Sequence, residues 1–580
     1  ALKLMREHGA VSGHAVPHPD SHGDGRIKRA FTKLLTPFLN SARHRWMLLL
    51  GILGALAVSV SLTLIPSSMV GVVLKMLPFD NKSEFQVVVD MPAGTPLEDT
   101  AAALQEMGGF LAQQPEVSNL QAYAGAASPI TFNGLVRQYY LRADAEQGDL
   151  QVNLVDKHQR SDKSHAIAQR LRPGLEQIAA KHKARIKVVE VPPGPPVMSP
   201  LVAEVYGPDE AGRQALAGKI AQSFSKTSDI VGVDTSLRED APRAFLRVRR
   251  QRAESLGIPV AAIAQTVSAA LSGSDAAYLR DGQSKYPVPI RLQLSAESQV
   301  GLDAILAMPL RAANGQLVPL SELVTVERGI IDKPLFTKDL QGVSYVHGDM
   351  AGQLDSPLYG LFAIRETMSK SAPAGDTLGE YWIRQPTDTY RQYAIKWDGE
   401  SQITYDTFRD MGAAYAVGLV LIYLLVVAQF KSYLTPLVIM APIPLTIIGV
   451  MPGHAFMGAQ FTATSMIGMI ALAGIIVRNS ILLVDFIELQ VSQGMAFKEA
   501  VMQSAAVRAQ PIALTGLAAM IGAFFILDDP IFNGLAVSLI FGILVSTLLT
   551  LVVIPVLYYA LYRRRMESRP AATSSTPDAA

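Results

Sequence analysis

Residues 432–477 read SYLTPLVIMAPIPLTIIGVMPGHAFMGAQFTATSMIGMIALAGIIV, without a single Asp, Glu, Lys or Arg. About 20 predominantly apolar residues cross a bilayer as a helix, so this stretch holds two spans. Pro452-Gly453-His454 reads as the break between them. Working outward, residues 46–74, 411–430, 509–527 and 531–562 are also free of the four charged residue types. The predicted spans are 46–66, 411–429, 433–452, 464–486, 509–527 and 534–558. The pattern is one helix, a long interval, then five helices.

The composition agrees with such a chain. Its 580 residues carry 51 Lys plus Arg against 50 Asp plus Glu, a formal charge of +1. That balance argues against nucleic acid as a partner, because such affinity comes from a concentrated positive field. Charged residues are 17% of the chain against roughly 25% in soluble domains. The absence of cysteine excludes a disulfide framework, a thiolate zinc site and a cysteine nucleophile. No Ser-His-Asp spacing, Gly-rich phosphate loop or carboxylate-histidine metal cluster occurs, so no catalytic residue and no resident metal or other cofactor is expected.

Basic residues orient the spans, since short loops rich in Lys and Arg stay in the cytoplasm. Arg26, Lys28, Arg29, Lys33, Arg43 and Arg45 precede the first span, Lys431 lies between the second and third, and Lys498 and Arg508 between the fourth and fifth. Arg563, Arg564 and Arg565 follow the last, opening a cytosolic tail, 563–580. The loops 452–463 and 528–530 carry none. Residues 67–410 are therefore expected outside the cytoplasmic membrane, in the periplasm of a two-membrane bacterium. Residues 1–45 read as a cytosolic linker and amphipathic segment. Ala1 to Met5 resemble the tail of a helix, and His8, His14, His18 and His22 lie in a Gly- and Pro-containing linker without a coordination spacing.

Between the first two spans the residue pattern is that of an α+β domain. A strand at 84–91, a helix from the Thr95-Pro96-Leu97-Glu98 capping signal to about 114, and a strand at 117–123 make one βαβ unit. A strand at 149–156, a helix at 163–183 and a strand at 185–191 make a second, and the pair is a ferredoxin-like arrangement over 83–191. Pro192-Pro193-Gly194-Pro195-Pro196 reads as a stiff linker. The order then begins again over 199–239 and resumes over 333–405, with an insertion at 241–331 that contains an Asn314-Gly315 hairpin turn.

This organisation, over about residues 30–565, resembles the C-terminal half of a resistance-nodulation-division (RND) efflux permease. The specific marks are Gln429-Phe430-Lys431-Ser432, the run from Gly474 through Arg478-Asn479 to Asp485-Phe486, and Arg508-Ala509-Gln510-Pro511 continuing to Thr515. The resemblance implies an α-helical membrane protein of the inner membrane with six transmembrane helices, a large α+β periplasmic domain of two porter subdomains, and a docking-like lobe at 241–331. It implies secondary active transport by proton antiport: expulsion of amphiphilic compounds, xenobiotics or metal ions, driven by the proton motive force. The implied partners are an N-terminal half of the permease, a homotrimer of the whole, a periplasmic adaptor protein, an outer-membrane channel and the lipid bilayer.

Arg478, deep in the fourth span, is a functional candidate by default because a buried ion needs a partner or a water-filled path. Asn479 follows it, and Asp485 lies about two turns on along a similar face. The resemblance assigns the positions of Arg478 and Thr515 to a proton relay whose acids belong to the other half, and that of Arg508 to proton exit. The relay cation of the family is commonly lysine. Arginine keeps its proton, so Arg478 suits a switching counter-ion and not a carrier. Against these roles stand plainer ones: Arg478 snorkelling to the headgroups, Asp485 solvated at a helix end, Arg508 as a positive-inside anchor. Gly468, Gly474, Gly534 and Gly542 are expected to let helices pack closely.

For the cargo, the 20 methionines raise metal export, since thioethers suit Cu(I). Most fall at core spacing, Met91 and Met198 are isolated in sequence, and metal-exporting relatives tend to have glutamate at the place of Arg478. The expected cargo is therefore organic or amphiphilic, with no substrate-binding residue assigned. The other readings are a metal exporter, a lipid- or protein-export relative, or a fragment inactive without its first half.

Overall fold

The computed structural model describes residues 25–63, 71–191, 194, 197–295, 301–352, 356–371 and 378–567. The linker histidines, most of the 192–196 run and the tail beyond 567 lie outside the described residues, as do residues 64–66 of the first span. Among the described residues six helices are long and apolar enough to cross a membrane: Ala42–Ser61, Glu400–Phe430, Thr435–Met457, Ala463–Ser492, Phe497–Phe524 and Asn533–Arg564. Before them the helix Gly25–Asn40 lays Leu35 and Leu39 into the same core as the spans, and Lys498 donates to Asn40.

The break inside the longest uncharged stretch is not at Pro452-Gly453-His454. The third span runs through these residues as three short helical pieces, of which Ile447–Met457 contains Pro452. Proline is tolerated in a membrane helix where neighbouring groups satisfy the freed backbone. Gly453 faces Phe541 so closely that a Cβ would lie 2.5 Å from its ring. His454 is fully buried, with Nδ1 2.8 Å from the Val450 carbonyl and Nε2 2.9 Å from Ser465 Oγ. The chain turns instead at Gly458, at φ +62°, and the fourth span opens with a capping box between Thr462 and Ser465. The second and fifth spans also start well before their uncharged segments, at Glu400 and Phe497. A helix keeps its hydrogen bonds past the bilayer edge, where charges cost little, so charge-free runs underestimate its length.

The α+β region has two sheets of one topology. The first contains β1 (Glu84–Asp90), β2 (Val117–Ala124), β3 (Gln147–Leu154) and β4 (Arg185–Glu190) in the order β2-β3-β1-β4, all neighbours antiparallel. Helices Leu97–Ala112 and Ser164–Lys181 supply Leu104, Met107, Leu111, Ile167, Leu171 and Leu175 to its core. The second sheet starts with β5 (Leu201–Tyr206) and β6 (Ile230–Thr235), joined by the helix Glu210–Lys226, whose N-cap Asp209 accepts from the Gly212 amide. The chain then forms a second compact unit from 91–97 and 237–335. There β7 (Pro242–Val248) pairs with β12 (Val324–Ile330), and two hairpins form: β8 (Ser274–Leu279) with β9 (Val288–Leu292), and β10 (Pro309–Arg311) with β11 (Leu317–Pro319), which turns at Gly315. That unit has its own core of Ile258, Ile263, Ile305, Leu310, Leu320 and Leu323.

The second sheet is completed by β13 (Phe336–Lys338), β14 (Gln341–Met350), β15 (Gly379–Tyr381) and β16 (Ala394–Gly399). Its principal order, β6-β14-β5-β16, repeats the first sheet strand for strand and is antiparallel throughout.

Helices among lipid gain little from hydrophobic contrast and associate by close packing. Gly449 lies against the backbone of the sixth span, where a Cβ would be 2.4 Å from the Phe541 carbonyl oxygen. Gly468, Gly534 and Gly542 are similarly tight, against Ser538, Ser465 and Leu472 respectively, but Gly474 has nothing within 4 Å and does not bring helices of this chain together. Gly449→Ala is expected to push the third and sixth spans apart and lower stability by about 1–3 kcal/mol. Gly474→Ala, at an open helical position, should leave the melting temperature of the purified protein unchanged or slightly raised. Thermal unfolding of the two variants in detergent measures the difference.

Candidate functional site in the fourth and fifth spans

The fourth span is a helix of 30 residues, hence ~45 Å long, and Arg478 sits at its middle. Its burial divides it into two faces. Leu472, Ile476, Ser480, Leu483 and Ile487 are buried inside the bundle, while Ile467, Ala471, Gly474, Arg478, Leu482, Asp485 and Leu489 are exposed. The exposed residues follow one another at intervals of three or four, which makes them one continuous stripe.

The five candidates from the sequence do not converge. Arg478 and Asp485 share the exposed stripe, whereas Asn479 turns to the buried side at 6% exposure. Thr515 is exposed on the fifth span, and its hydroxyl donates to the Pro511 carbonyl at 2.8 Å. Arg508 is half-buried about three turns inside the fifth span, with its guanidinium carbon 4.7 Å from the centre of the Phe486 ring. Its Nε is buried without a hydrogen-bond partner among the described residues. Among these residues no hydrogen bond or ion pair joins any two of the five.

A second set of polar groups escapes a charge-gap reading. Glu488 accepts a 2.7 Å hydrogen bond from Tyr558 of the sixth span. Gln490 Oε1 accepts from Ser504 at 3.1 Å, and the Tyr562 hydroxyl lies 2.8 Å from Thr435 Oγ1 and 3.0 Å from Ser432 Oγ. With the fourth span ending at 486, Glu488 falls outside it. The missed signal was the short spacing, about one and a half turns, between Tyr558 and the Arg563-Arg564-Arg565 run, which puts both near the same end of the sixth span.

Outside the spans, ion pairs gather where the two sheets meet. Arg142 lies 2.7 Å from Asp90 and 3.3 Å from Asp149, whose carboxyl is raised by burial against the opposing pull of Arg142. Lys187 on β4 donates to Asp234 on β6 and lies 3.7 Å from Asp90. Burial would raise Asp234, but Lys187 outweighs it and holds the carboxyl well below its usual range. His347 on β14 faces this pair together with Arg137 and Asp349; burial, aided by Lys187 and Arg137 and opposed by Asp234, lowers its imidazole to about 4. Within the second sheet Lys338 is held above the usual lysine range between Glu204 and Asp398, despite its burial.

The profile of the AcrB/AcrD/AcrF family matches residues 24–562, and the chain belongs to that family, the RND efflux permeases. Its relatives include the swarming motility protein SwrC of Bacillus subtilis (strain 168), 22% identical over 94% of this chain and 48% of SwrC. The nickel and cobalt resistance protein CnrA of Cupriavidus metallidurans is 26% identical over 65% of this chain and 34% of CnrA. Two crystal forms of a heavy metal efflux pump superpose with TM-scores of 0.72 and 0.73 at 19% and 18% identity, covering 95% and 93% of this chain and 53% of the pump. That likeness shows the fold. The chain spans about half the length, or less, of the proteins it matches.

The neutral state of His347 makes the joint between the sheets acid-sensitive. The unfolded chain takes up this proton near pH 6.5 and the folded one only near 4, so stability is full above pH 6.5 and is lost as pH falls from 6.5 towards 4. The loss from this group is at most about 3 kcal/mol. Unfolding of the purified protein between pH 7.5 and 4.5 should show that decline, and His347→Asn should flatten it.

Proposed function

We propose that this chain is the second half of a proton-driven RND efflux permease of the bacterial inner membrane. The α+β region lies in the periplasm, with its two sheets as porter subdomains. The observation that carries the reading is the exposed stripe bearing Arg478 and Asp485. Arg478 is ~22 Å from either end of its helix, and an arginine side chain reaches only ~7 Å, short of the ~15 Å half-thickness of the hydrocarbon layer. A charge at that depth needs protein or water on its open side, and the missing half of the length of its relatives supplies a cover. Arg478 acts as the fixed positive charge against which carboxylates of the first half release and regain protons. Thr515, Asp485 and Arg508 line the same route, and the proton motive force is the energy source. The working assembly is a trimer of complete permeases joined by an adaptor to an outer-membrane channel.

A heavy-metal cation is the cargo with the better support, because CnrA is named for nickel and cobalt resistance and the superposed pump for heavy metals. The sequence-based expectation of an organic cargo gains no support from those names. It stands second on one observation: among the described residues no group of three or more His, Cys, Asp or Glu is placed to hold a metal ion.

The test is efflux by the complete permease in a strain lacking its own pumps, measured as tolerance to nickel, cobalt or zinc beside tolerance to a cationic dye. Arg478→Ala should abolish the protection, a loss of at least tenfold in transport rate, while membrane insertion and trimer yield stay unchanged. Full transport by Arg478→Ala would overturn the coupling role. Protection against the dye alone would return the cargo to the organic class.

A further inference from the structure

The helix Gly25–Asn40, ahead of the first span, has no part in that scheme. Its sequence contains Arg26, Lys28, Arg29 and Lys33 and no Asp or Glu. Three contacts fix its height on the bundle. Asn40 accepts from Lys498, Thr36 Oγ1 lies 4.0 Å from Met502 Sδ, and Phe31 packs on Ala509, Ile512 and Leu551. As the residue number falls from 40 to 31, the partners on the fifth span climb from 498 to 512, so the two helices run antiparallel. The uncharged stretch of the fifth span begins at Ala509. Phe31 therefore stands at the edge of the apolar layer, and residues 32–40 lie at the height of the headgroups and beyond.

The helix has two unlike sides. Leu35 and Leu39 are buried in the core of the bundle, with Phe31 and Phe38 half-buried against it. On the other side Arg29, Lys33 and Pro37 follow one another at intervals of four and are exposed, with Leu34 beside them at 47% exposure. The C-terminal end is closed by Arg45, which is buried and donates to the Phe38 and Leu39 carbonyls at 3.3 and 3.2 Å. Arg45 is thus committed to the protein. Arg43, at the start of the first span's helix, is exposed, and Trp46, about one turn further on, is 67% exposed. Among the described residues neither Lys33 nor Arg43 has an ion-pair partner.

Arg29 and Lys33 stand one above the other, and like charges at that spacing repel. No acid on the helix offsets them. At the same end of the spans the carboxylates are engaged or lie on other helices: Glu488 accepts from Tyr558, Asp485 belongs to the stripe of the fourth span, and Glu499 is in the first turn of the fifth. A cationic side with exposed apolar groups, at headgroup height, suits a ligand that is both anionic and amphiphilic. Phosphate oxygens accept from the ammonium and guanidinium groups, and acyl chains cover Leu34 and Trp46. A soluble polyanion meets the charges and leaves both apolar side chains in water.

We infer that the exposed side of this helix binds anionic phospholipid of the cytoplasmic leaflet, with Arg29, Lys33 and Arg43 on phosphate groups and Leu34 and Trp46 against the acyl chains. The inference rests on the placement of the spans in an inner membrane with this end inside, and not on proton coupling or on the cargo. Lipid held there braces the first turns of the fifth span, the helix that carries Arg508 and Thr515.

The test uses the full chain, purified and delipidated in a neutral detergent, with the complete permease beside it. Phosphatidylglycerol should raise the melting temperature saturably, and phosphatidylcholine at the same mole ratio should not. Each basic residue near an anionic surface changes affinity about fivefold. The double variant Lys33→Gln with Arg43→Gln should therefore weaken the apparent affinity for phosphatidylglycerol about twentyfold. Lys33→Glu is the sharper variant: facing Arg29 one turn away, it should hold or slightly raise the melting temperature without lipid and lose the response to phosphatidylglycerol. Lys157→Gln, at an exposed position of the α+β region, should change neither. Equal responses to the two lipids, or a wild-type response in Lys33→Glu and the double variant, would overturn the proposal. So would a response of this chain that the complete permease lacks, since the first half would then cover this side. Flotation with vesicles separates the two failures: a chain that floats with neither lipid defeats the membrane placement itself, whereas one that floats with both and shows no preference defeats only the lipid surface.

Discussion

The membrane portion rests on the backbone-to-backbone approach of the sixth span to the third and fourth. Nothing in a lipid environment pushes apolar helices together as water does, so their association must come from the fit of their surfaces. The fit here is made by glycines that admit a neighbour where a side chain would clash: Gly449 under the Phe541 carbonyl, Gly468 under Ser538, Gly534 under Ser465 and Gly542 under Leu472. Polar pairs then fix rotation and height at both ends of the bundle, His454 with Ser465 at one and Tyr558 with Glu488 at the other. Ser538 adds a hydrogen bond to the Ser465 carbonyl, so the cap of the fourth span and the body of the sixth share one network.

With the sixth span locked, the orientation of the fourth is no longer free. Its small and branched residues are committed to the bundle, and the stripe with Arg478 and Asp485 must face away from it. The same rotation explains why Asn479, adjacent in sequence to Arg478, is buried while Arg478 is exposed: successive residues on a helix point about 100° apart. A motif that reads as one unit along the chain is split between two surfaces, one packed inside the bundle and one turned away from it.

Much of the architecture was legible because each class of element leaves a separate mark. The spans are visible as gaps in charge, and the strand formed at Glu84–Asp90 as the run Phe85-Gln86-Val87-Val88-Val89. The repeat was legible too, since β5, β6, β14 and β16 recur in the order already met in the first sheet. What could not be read depends on side chains brought together from far along the chain. Lys187 and Asp234 are 47 residues apart, and nothing local marks either as one end of an ion pair. Pro452-Gly453 carried a signal for a break that tertiary packing overrides, because Phe541 fills the groove that Gly453 leaves open. Glu488 was hidden by an assumption about length: the helix outruns the uncharged segment.

The seam between the two sheets has a further meaning. β4 closes one sheet and β6 lies at the rim of the other, and they meet through the Lys187 ammonium and the Asp234 carboxylate and not through a ladder of peptide bonds. Two strand edges that hydrogen-bonded would fuse the sheets into one continuous surface, and parting them would expose a row of amides and carbonyls. An ionic seam breaks at a single point. Both groups are largely buried, so mobile ions screen the pair far less than an exposed one, and the ease with which the sheets separate changes little with the salt content of the surrounding medium.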